Sequence, residues 1–164
     1  NLNLRERHAY TYGAFSQFDW RRRASAFEAA TAVRSDVTAA AVREILHEID
    51  RMRNEPVSAS ELSLAVDYLT GVFPIRFETS AAIAAALAMR EGYELAPDYY
   101  DTYRERIAAV TVDEVLRVAQ THLDPARLQV VAVADPSAVR DDLTALGIGA
   151  VREYDATGAP VTSP

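Results

Sequence analysis

The sequence contains no cysteine and no lysine. The absence of cysteine excludes disulfide bonds and thiolate chemistry from this chain. Arginine therefore supplies all 17 lysine-or-arginine positions, which we interpret as the codon bias of a GC-rich genome rather than a demand for guanidinium groups. The six glycines are dispersed, so the sequence contains no phosphate-binding loop. No apolar run reaches the roughly 18 residues that predict a transmembrane helix.

The remaining composition is that of a soluble globular protein. The chain has 164 residues, of which 49% are hydrophobic and 25% charged, which is enough for one domain with a real core. The net charge of −7 argues against general nucleic-acid binding, because such binding needs a basic face. No signal peptide is visible. We expect a soluble protein of the bacterial cytoplasm or periplasm, and the sequence does not choose between the two compartments.

Four segments are candidate strands. Residues 9–16 predict a strand that places Tyr12 on one face with every second residue. Residues 24–33 fit a helix or an antiparallel partner strand, and the residues alone leave both open. Residues 128–134 form a continuous apolar run between two prolines, which is typical of a central strand. Residues 151–154 predict a short final strand.

Helical periodicity covers most of the rest of the chain. The predicted helices span residues 37–53, 58–71, 79–92, 98–110, 111–123 and 137–146. Two of them begin with the spacing of a capping box, at Ser58 with Glu61 and at Thr111 with Glu114. The apolar stripes expected to be buried are Val42, Ile45, Leu46 and Ile49 on the first helix and Leu62, Val66 and Leu69 on the second. Segregated strands and helices predict an α+β fold, a two-layer sandwich of a mixed, largely antiparallel sheet with helices packed on one face.

The three histidines do not have the spacing of a zinc site. His47 and Glu48 begin like a His-Glu-x-x-His motif, but Arg51 stands where the second histidine is needed. His8 and His122 are far from it in the sequence. We therefore predict that His47 is a solvent-facing helix residue and that this chain holds no metal by itself.

Two aromatic clusters have a structural interpretation and a functional one. Trp20 beside the three arginines 21–23 could bind a nucleic acid or a phosphate, but a hairpin tip with solvated charges is favoured because the chain is acidic overall. Tyr99, Tyr100 and Tyr103 are predicted to lie in a core with their hydroxyls at its rim.

The beginning of the chain carries the most specific motif. Residues 4–7 read Leu-Arg-Glu-Arg, and Arg5 stands seven positions before Tyr12. This resembles the Leu-Arg-Glu-Lys…Tyr signature of the pitrilysin/insulinase family of zinc metallopeptidases, in their C-terminal domain that does not bind zinc. Further stretches resemble the family in matching order: Glu-Pro-Val-Ser at 55–58 with Glu-Leu at 61–62, the Leu-x-Gly-x-Phe-Pro segment within 68–74 with Glu-Thr at 78–79, residues 97–103, residues 107–115 and residues 130–135.

The resemblance implies a role for two residues. Family domains of this type place an arginine and a tyrosine toward the zinc site of a partner half. Arg5 would then bind substrate, because a guanidinium is a planar set of donors that stays charged. Tyr12 would bind substrate and stabilise the oxyanion of the transition state in trans. No cofactor is expected in this chain, and zinc is expected in the partner domain.

The resemblance also implies an architecture. The resemblance favours a strand over a helix at residues 24–33. Family domains begin with a strand and a helix before the arginine, and these are missing, so we interpret residues 1–155 as one C-terminal-type domain incomplete at its N-terminus. Residues 156–164 are predicted to be a flexible tail. The expected partners are a zinc-bearing N-terminal domain or subunit of the same family and a peptide substrate, with no nucleic acid and no membrane span.

Two functions are compatible with the resemblance. The chain could be part of a zinc metalloendopeptidase, inactive alone, or a catalytically inactive family member that acts as a scaffold or partner subunit, like the core subunits of respiratory complexes. A His-x-x-Glu-His motif in the parent or an adjacent gene would favour the peptidase. The presence of both Arg5 and Tyr12 favours it too.

The histidine spacing leads to a prediction about metal content. Protein dialysed without chelator should contain far less than one zinc per chain by elemental analysis, because no histidine pair has ligand spacing. A stoichiometric, tightly held zinc with histidine ligands would show that this interpretation is wrong.

Overall fold

The computed structural model describes residues 2–161 and has an α+β fold. Two strands precede six helices in the described residues: β1 Ala14–Asp19, β2 Ala26–Thr31, α1 Thr38–Asn54, α2 Ala59–Val72, α3 Ser80–Gly92, α4 Tyr103–Ala108, α5 Val112–His122 and α6 Pro136–Ala145. The chain divides into two compact units, one within Asn1–Asp50 and Pro125–Pro164 and the other within Arg51–Asp124.

Strands β1 and β2 form an antiparallel hairpin, and they are the two strands of the sheet in the described residues. Phe18 lies opposite Phe27, with ring centroids 5.2 Å apart, and Trp20 stacks on Phe18 at 5.2 Å. Aromatic pairs across an antiparallel ladder stabilise the strand conformation of both partners. The prediction of a strand within residues 24–33 is therefore confirmed.

The prediction of a strand over residues 9–16 is correct only for its last residues. The chain forms a π-helix at Leu2–Arg7, Ala9 has φ +52°, and β1 begins at Ala14. The Thr11 hydroxyl bonds both to the amide and to the carbonyl of Gly13, at 3.1 and 2.9 Å. Such local bonds compete with a ladder, so Tyr12 precedes the strand rather than lying in it.

The prediction of a central strand at residues 128–134 is wrong. The segment has no ladder partner in the described residues, and all of its side chains are exposed. A run of apolar residues becomes a strand only where a neighbour can bond its backbone groups. The final strand predicted at 151–154 is likewise reduced to one isolated bridge between Tyr154 and Pro160.

The first unit has few fully buried side chains. Leu4 from the π-helix, Ala41 from α1 and Val139 from α6 are buried, and α6 lies against the 3-10 turn Ser35–Val37. In the predicted tail, the amides of Thr157 and Ala159 donate to the Asp155 carboxylate at 2.8 and 3.0 Å. Residues 162–164 of that tail lie outside the described residues, and its flexibility stays a prediction, as does the single domain over residues 1–155.

The second unit is built around aromatic rings. Helix α2 lies against α4, and the 3-10 turn Pro74–Phe77 lies against both α2 and α3. The ring of Tyr103 stacks on Phe73 at 4.4 Å, and the Tyr100 hydroxyl donates to the Ala86 carbonyl at 2.9 Å. The predicted packing of these tyrosines is seen as an aromatic cluster, but all three are half-buried rather than in a buried core.

Two predictions about helices need correction. Helix α4 is shorter than the predicted 98–110, because residues 98–102 form turns that place Tyr99 and Tyr100 against each other and Tyr100 against Phe77. The stripes predicted as buried on α1 and α2 are half-buried. A periodic stripe identifies the face of a helix that packs, but the depth of its burial depends on the layers around it.

A membrane span is not supported by one helix. Among residues 2–161, no single helix is both long and apolar enough to cross a bilayer. Ala59–Phe77 and Ser80–Gly92 meet the length and composition requirement only as a pair bent by 112°.

The predicted capping boxes begin α2 and α5. At α2, the Ser58 hydroxyl accepts from the Glu61 amide at 3.2 Å, and the Glu61 carboxylate accepts from the Ser58 amide at 3.0 Å. Thr111 and Glu114 repeat this reciprocal arrangement at α5. Both boxes satisfy amides that a helix leaves free at its start.

We expect Ser58→Ala to lower the free energy of unfolding of the second unit by about 1 kcal/mol, because a free helical amide loses its acceptor. Urea unfolding followed by the helical circular dichroism signal measures this. Ser80→Ala is the control, since Ser80 is an exposed serine at the first position of α3 and caps no helix. Equal effects of the two substitutions would contradict the prediction.

The same box predicts a pH dependence. Hydrogen bonds from the Ser58 hydroxyl and amide lower the pKa of Glu61. A carboxylate with a lowered pKa stabilises the folded state above its unfolded pKa, and this stabilisation is lost as the pH falls through the folded pKa. Wild type should therefore be more stable than Glu61→Gln at neutral pH, and the difference should shrink below the ordinary titration range of glutamate. Urea unfolding of both proteins at neutral pH and below the titration range of glutamate measures this difference in stability. A difference that stays the same at the two pH values would refute the prediction.

Candidate functional site

The first residues of the chain are attached to α1 by an amide held between two carboxylates. Asn3 Nδ2 donates to Glu44 Oε2 at 2.9 Å and to Glu48 Oε1 at 2.6 Å. Next to it, the side chain of Leu4 is buried. Hydrogen bonds to charged acceptors are stronger than neutral ones. These contacts hold the π-helix against α1 and so fix the position of the backbone at Arg5.

Sequence reasoning missed this cluster, although a signal was present. Glu44 and Glu48 are four residues apart and therefore share one face of α1. His8 extends the cluster, with its Nε2 3.7 Å from Glu44 Oε2 and its ring stacked on Tyr10 at 5.0 Å. Nothing in the sequence indicated that the partner would be Asn3, because 41 residues separate it from Glu44.

Arg5 keeps its guanidinium in solvent while its backbone is held. Its carbonyl accepts from the amide of Ala9 at 3.2 Å, and its Nε lies 3.4 Å from the Glu6 carboxylate. Both side chains of this ion pair are more than half exposed. Such surface pairs are weak, so the guanidinium can exchange Glu6 for another anion or a carbonyl at little cost.

Tyr12 is the most exposed large side chain near this segment, with 99% of its surface accessible. The backbone that follows it is nevertheless held at Gly13. Thr11 bonds to Gly13, and the Thr31 hydroxyl of β2 donates to the Gly13 carbonyl at 3.0 Å. Within residues 2–161 the phenol hydroxyl has no hydrogen-bond partner. Tyr12 thus presents a free donor next to a backbone that is held at Gly13.

The described residues do not assemble a metal site. No three His, Asp or Glu side chains between residues 2 and 161 lie together in a way that could hold a metal ion. His47 is exposed on α1, as predicted, and His122 is the last residue of α5. The described residues therefore offer no ligand set for a zinc ion.

The arginines after Trp20 form the hairpin tip that the sequence favoured. Arg21 Nε donates to the Asp19 carboxylate at 2.7 Å, and this bond raises the pKa of Arg21 above its ordinary value. The charge of Arg21 is therefore already matched inside the hairpin, which weakens the alternative of a phosphate-binding patch.

Comparisons with known proteins support the fold. No protein-family model and no curated protein matches the sequence. A solved structure, a peptidase M16 inactive domain from Pseudomonas fluorescens, is similar with a TM-score of 0.69 at 20% sequence identity. The similarity covers 75% of this chain and 29% of that one. At this identity the similarity concerns the fold, and the chain has the fold of part of a peptidase M16 inactive domain.

Proposed function

We propose that this chain is a C-terminal-type, non-zinc-binding domain of a pitrilysin/insulinase-type zinc metalloendopeptidase. The observation that carries the proposal is the similarity to a peptidase M16 inactive domain, with a TM-score of 0.69 over 75% of the chain. The resemblance of the first residues to the family signature supports it independently. In this function the chain hydrolyses no peptide alone and helps to enclose the substrate chamber of a zinc-bearing partner domain or subunit.

In the proposed mechanism Arg5 and Tyr12 act in trans on the peptide. The Arg5 guanidinium leaves its solvated partner Glu6 and donates to a carbonyl of the substrate. The Tyr12 hydroxyl, which is free and exposed, donates to the negative charge that develops on the scissile carbonyl oxygen. A donor placed there before the reaction stabilises the transition state more than the ground state. The partner half supplies the zinc, whose chemistry is the activation of water.

The proposal includes the layered architecture expected from the sequence. In the assembled domain the helices would cover one face of a mixed, largely antiparallel sheet that contains β1 and β2, as a two-layer sandwich. Tyr12, which directly precedes β1, would then lie at an end of that sheet. This position is compatible with a phenol that reaches a site on another domain.

We expect Tyr12→Phe to lower kcat of the assembled parent enzyme by about 100-fold, because the ring is kept and one oxyanion donor is lost. Folding stability should not change, since the side chain is 99% exposed. Tyr68→Phe is the matched control, because Tyr68 is also exposed, at 65%, and lies on α2. Peptide hydrolysis measures the effect. An unchanged kcat in Tyr12→Phe would mean that Tyr12 has no catalytic role and that the domain acts only as a scaffold.

Arg5→Ala should raise KM and also lower kcat in the same enzyme, since its donors contact the peptide in both the ground state and the transition state. Arg7→Ala is the control, because Arg7 is an exposed arginine in the last turn of the same π-helix. Steady-state kinetics of both variants separate binding from turnover. Identical constants for the two variants would mean that Arg5 contributes only general surface charge.

A further inference from the structure

Glu44 on α1 faces both ends of the π-helix Leu2–Arg7. Its Oε2 accepts a hydrogen bond from Asn3 Nδ2 at 2.9 Å and lies 3.7 Å from Nε2 of His8. Asn3 is the second residue of the π-helix, and His8 directly follows its last residue. Since the π-helix is six residues long, a single carboxylate oxygen of α1 contacts side chains at its two ends.

The Asn3 amide fits these surroundings in one orientation. Its Nδ2 donates to Glu44 at 2.9 Å and to Glu48 at 2.6 Å, whereas its Oδ1 is buried and accepts no hydrogen bond from the described residues. Turning the amide over would place its oxygen against two carboxylates, which have no donor when they are ionised. A buried acceptor without a donor costs free energy, so the contact with the carboxylates is what keeps the amide there.

The π-helix that carries Arg5 is short and ends in an unfavourable conformation. The carbonyls of residues 3, 5 and 4 accept from the amides of residues 8, 9 and 10, at 3.1, 3.2 and 2.9 Å. Ala9 ends it with a φ of +52°, in the left-handed region that disfavours residues with a Cβ. A single turn fixes many backbone angles for few hydrogen bonds. It therefore depends on side-chain contacts, which here are the buried Leu4 and the Asn3 amide.

We propose that Asn3, Glu44 and Glu48 are positioning residues for Arg5. They hold the backbone of the π-helix at the place from which the Arg5 guanidinium reaches the peptide, and they do not touch the peptide themselves. The Arg5 side chain is 56% exposed, so its own packing does not place it, and a binding group has to be held to within about 0.5 Å. The effect on catalysis rests on the proposed function, whereas the anchoring of the π-helix does not.

Hydrogen exchange of the 164-residue chain, followed by NMR, tests the anchoring. Asn3→Asp keeps the size of the side chain, removes its donors and opposes a third carboxylate to the other two. The amides of residues 8–10 should then exchange about tenfold faster or more, because hydrogen bonds to charged acceptors are lost. Asn54→Asp is the control, since it makes the same change at an exposed asparagine, the last residue of α1. It should leave these amides unchanged.

A rescue separates these hydrogen bonds from a general effect of changing residue 3. Adding Glu44→Gln and Glu48→Gln to Asn3→Asp reverses the direction of donation, because the two new amides donate to the new carboxylate. The triple variant should recover most of the protection of residues 8–10. If Asn3→Asp loses helical circular dichroism signal, Asn3→Ala replaces it, since it removes the donors without adding a charge and should speed the same exchange.

Kinetics of the assembled parent enzyme test whether these residues act through Arg5. Asn3→Asp should lower kcat/KM about tenfold or more, because a displacement on the order of 1 Å costs up to about 100-fold. It should lower kcat/KM no further in a chain that already carries Arg5→Ala, since the effects of residues that act as a unit are not additive. Asn54→Asp should leave kcat/KM unchanged.

Several results would overturn the proposal. Unchanged exchange at residues 8–10 in Asn3→Asp would exclude the anchoring, whatever the kinetics show. An equal loss of kcat/KM with and without Arg5→Ala would show that Asn3 does not act through Arg5. Faster exchange with unchanged kcat/KM in Asn3→Asp, while Arg5→Ala lowers kcat/KM, would refute the positioning role alone. Unchanged kinetics in Arg5→Ala would instead refute the proposed function of Arg5 and the positioning role with it.

Discussion

A β-strand must find its hydrogen-bond partners on another segment, whereas a helix satisfies most of its backbone groups internally. This constraint determines which strands of this chain exist. Strands β1 and β2 pair because a short connection brings Phe18 opposite Phe27. Residues 128–134 have a stronger apolar pattern but no ladder partner in the described residues, so they form no strand and their side chains are exposed.

The position of the candidate site depends on contacts made by its neighbours in the sequence. Asn3 and Leu4 hold the π-helix on α1, and Gly13 is bonded to Thr11 and Thr31. Arg5 and Tyr12 lie between these anchors and contribute little to the packing.

The second unit shows how tertiary contacts modify local preferences. Its capping boxes form as the sequence spacing predicts, because Ser58 with Glu61 and Thr111 with Glu114 need only residues within one turn. Helix α4, in contrast, begins later than its periodicity predicts. The turns before it allow the Tyr100 hydroxyl to reach the Ala86 carbonyl and its ring to reach Phe77. One hydrogen bond and a set of ring contacts outweigh the propensity of five residues for helix.

The sequence by itself determined features that arise within one or two turns, such as the capping boxes at the starts of α2 and α5, together with the α+β class and the exposure of His47. Only the tertiary structure decided which segments became strands, because pairing depends on residues distant in the chain. It also decided that Asn3 would join Glu44 and Glu48, and that Tyr12 would precede β1 instead of lying in it. Residue patterns predict local structure because the interacting groups lie within a few positions of each other. Contacts between distant residues depend instead on the free energy of the whole folded chain.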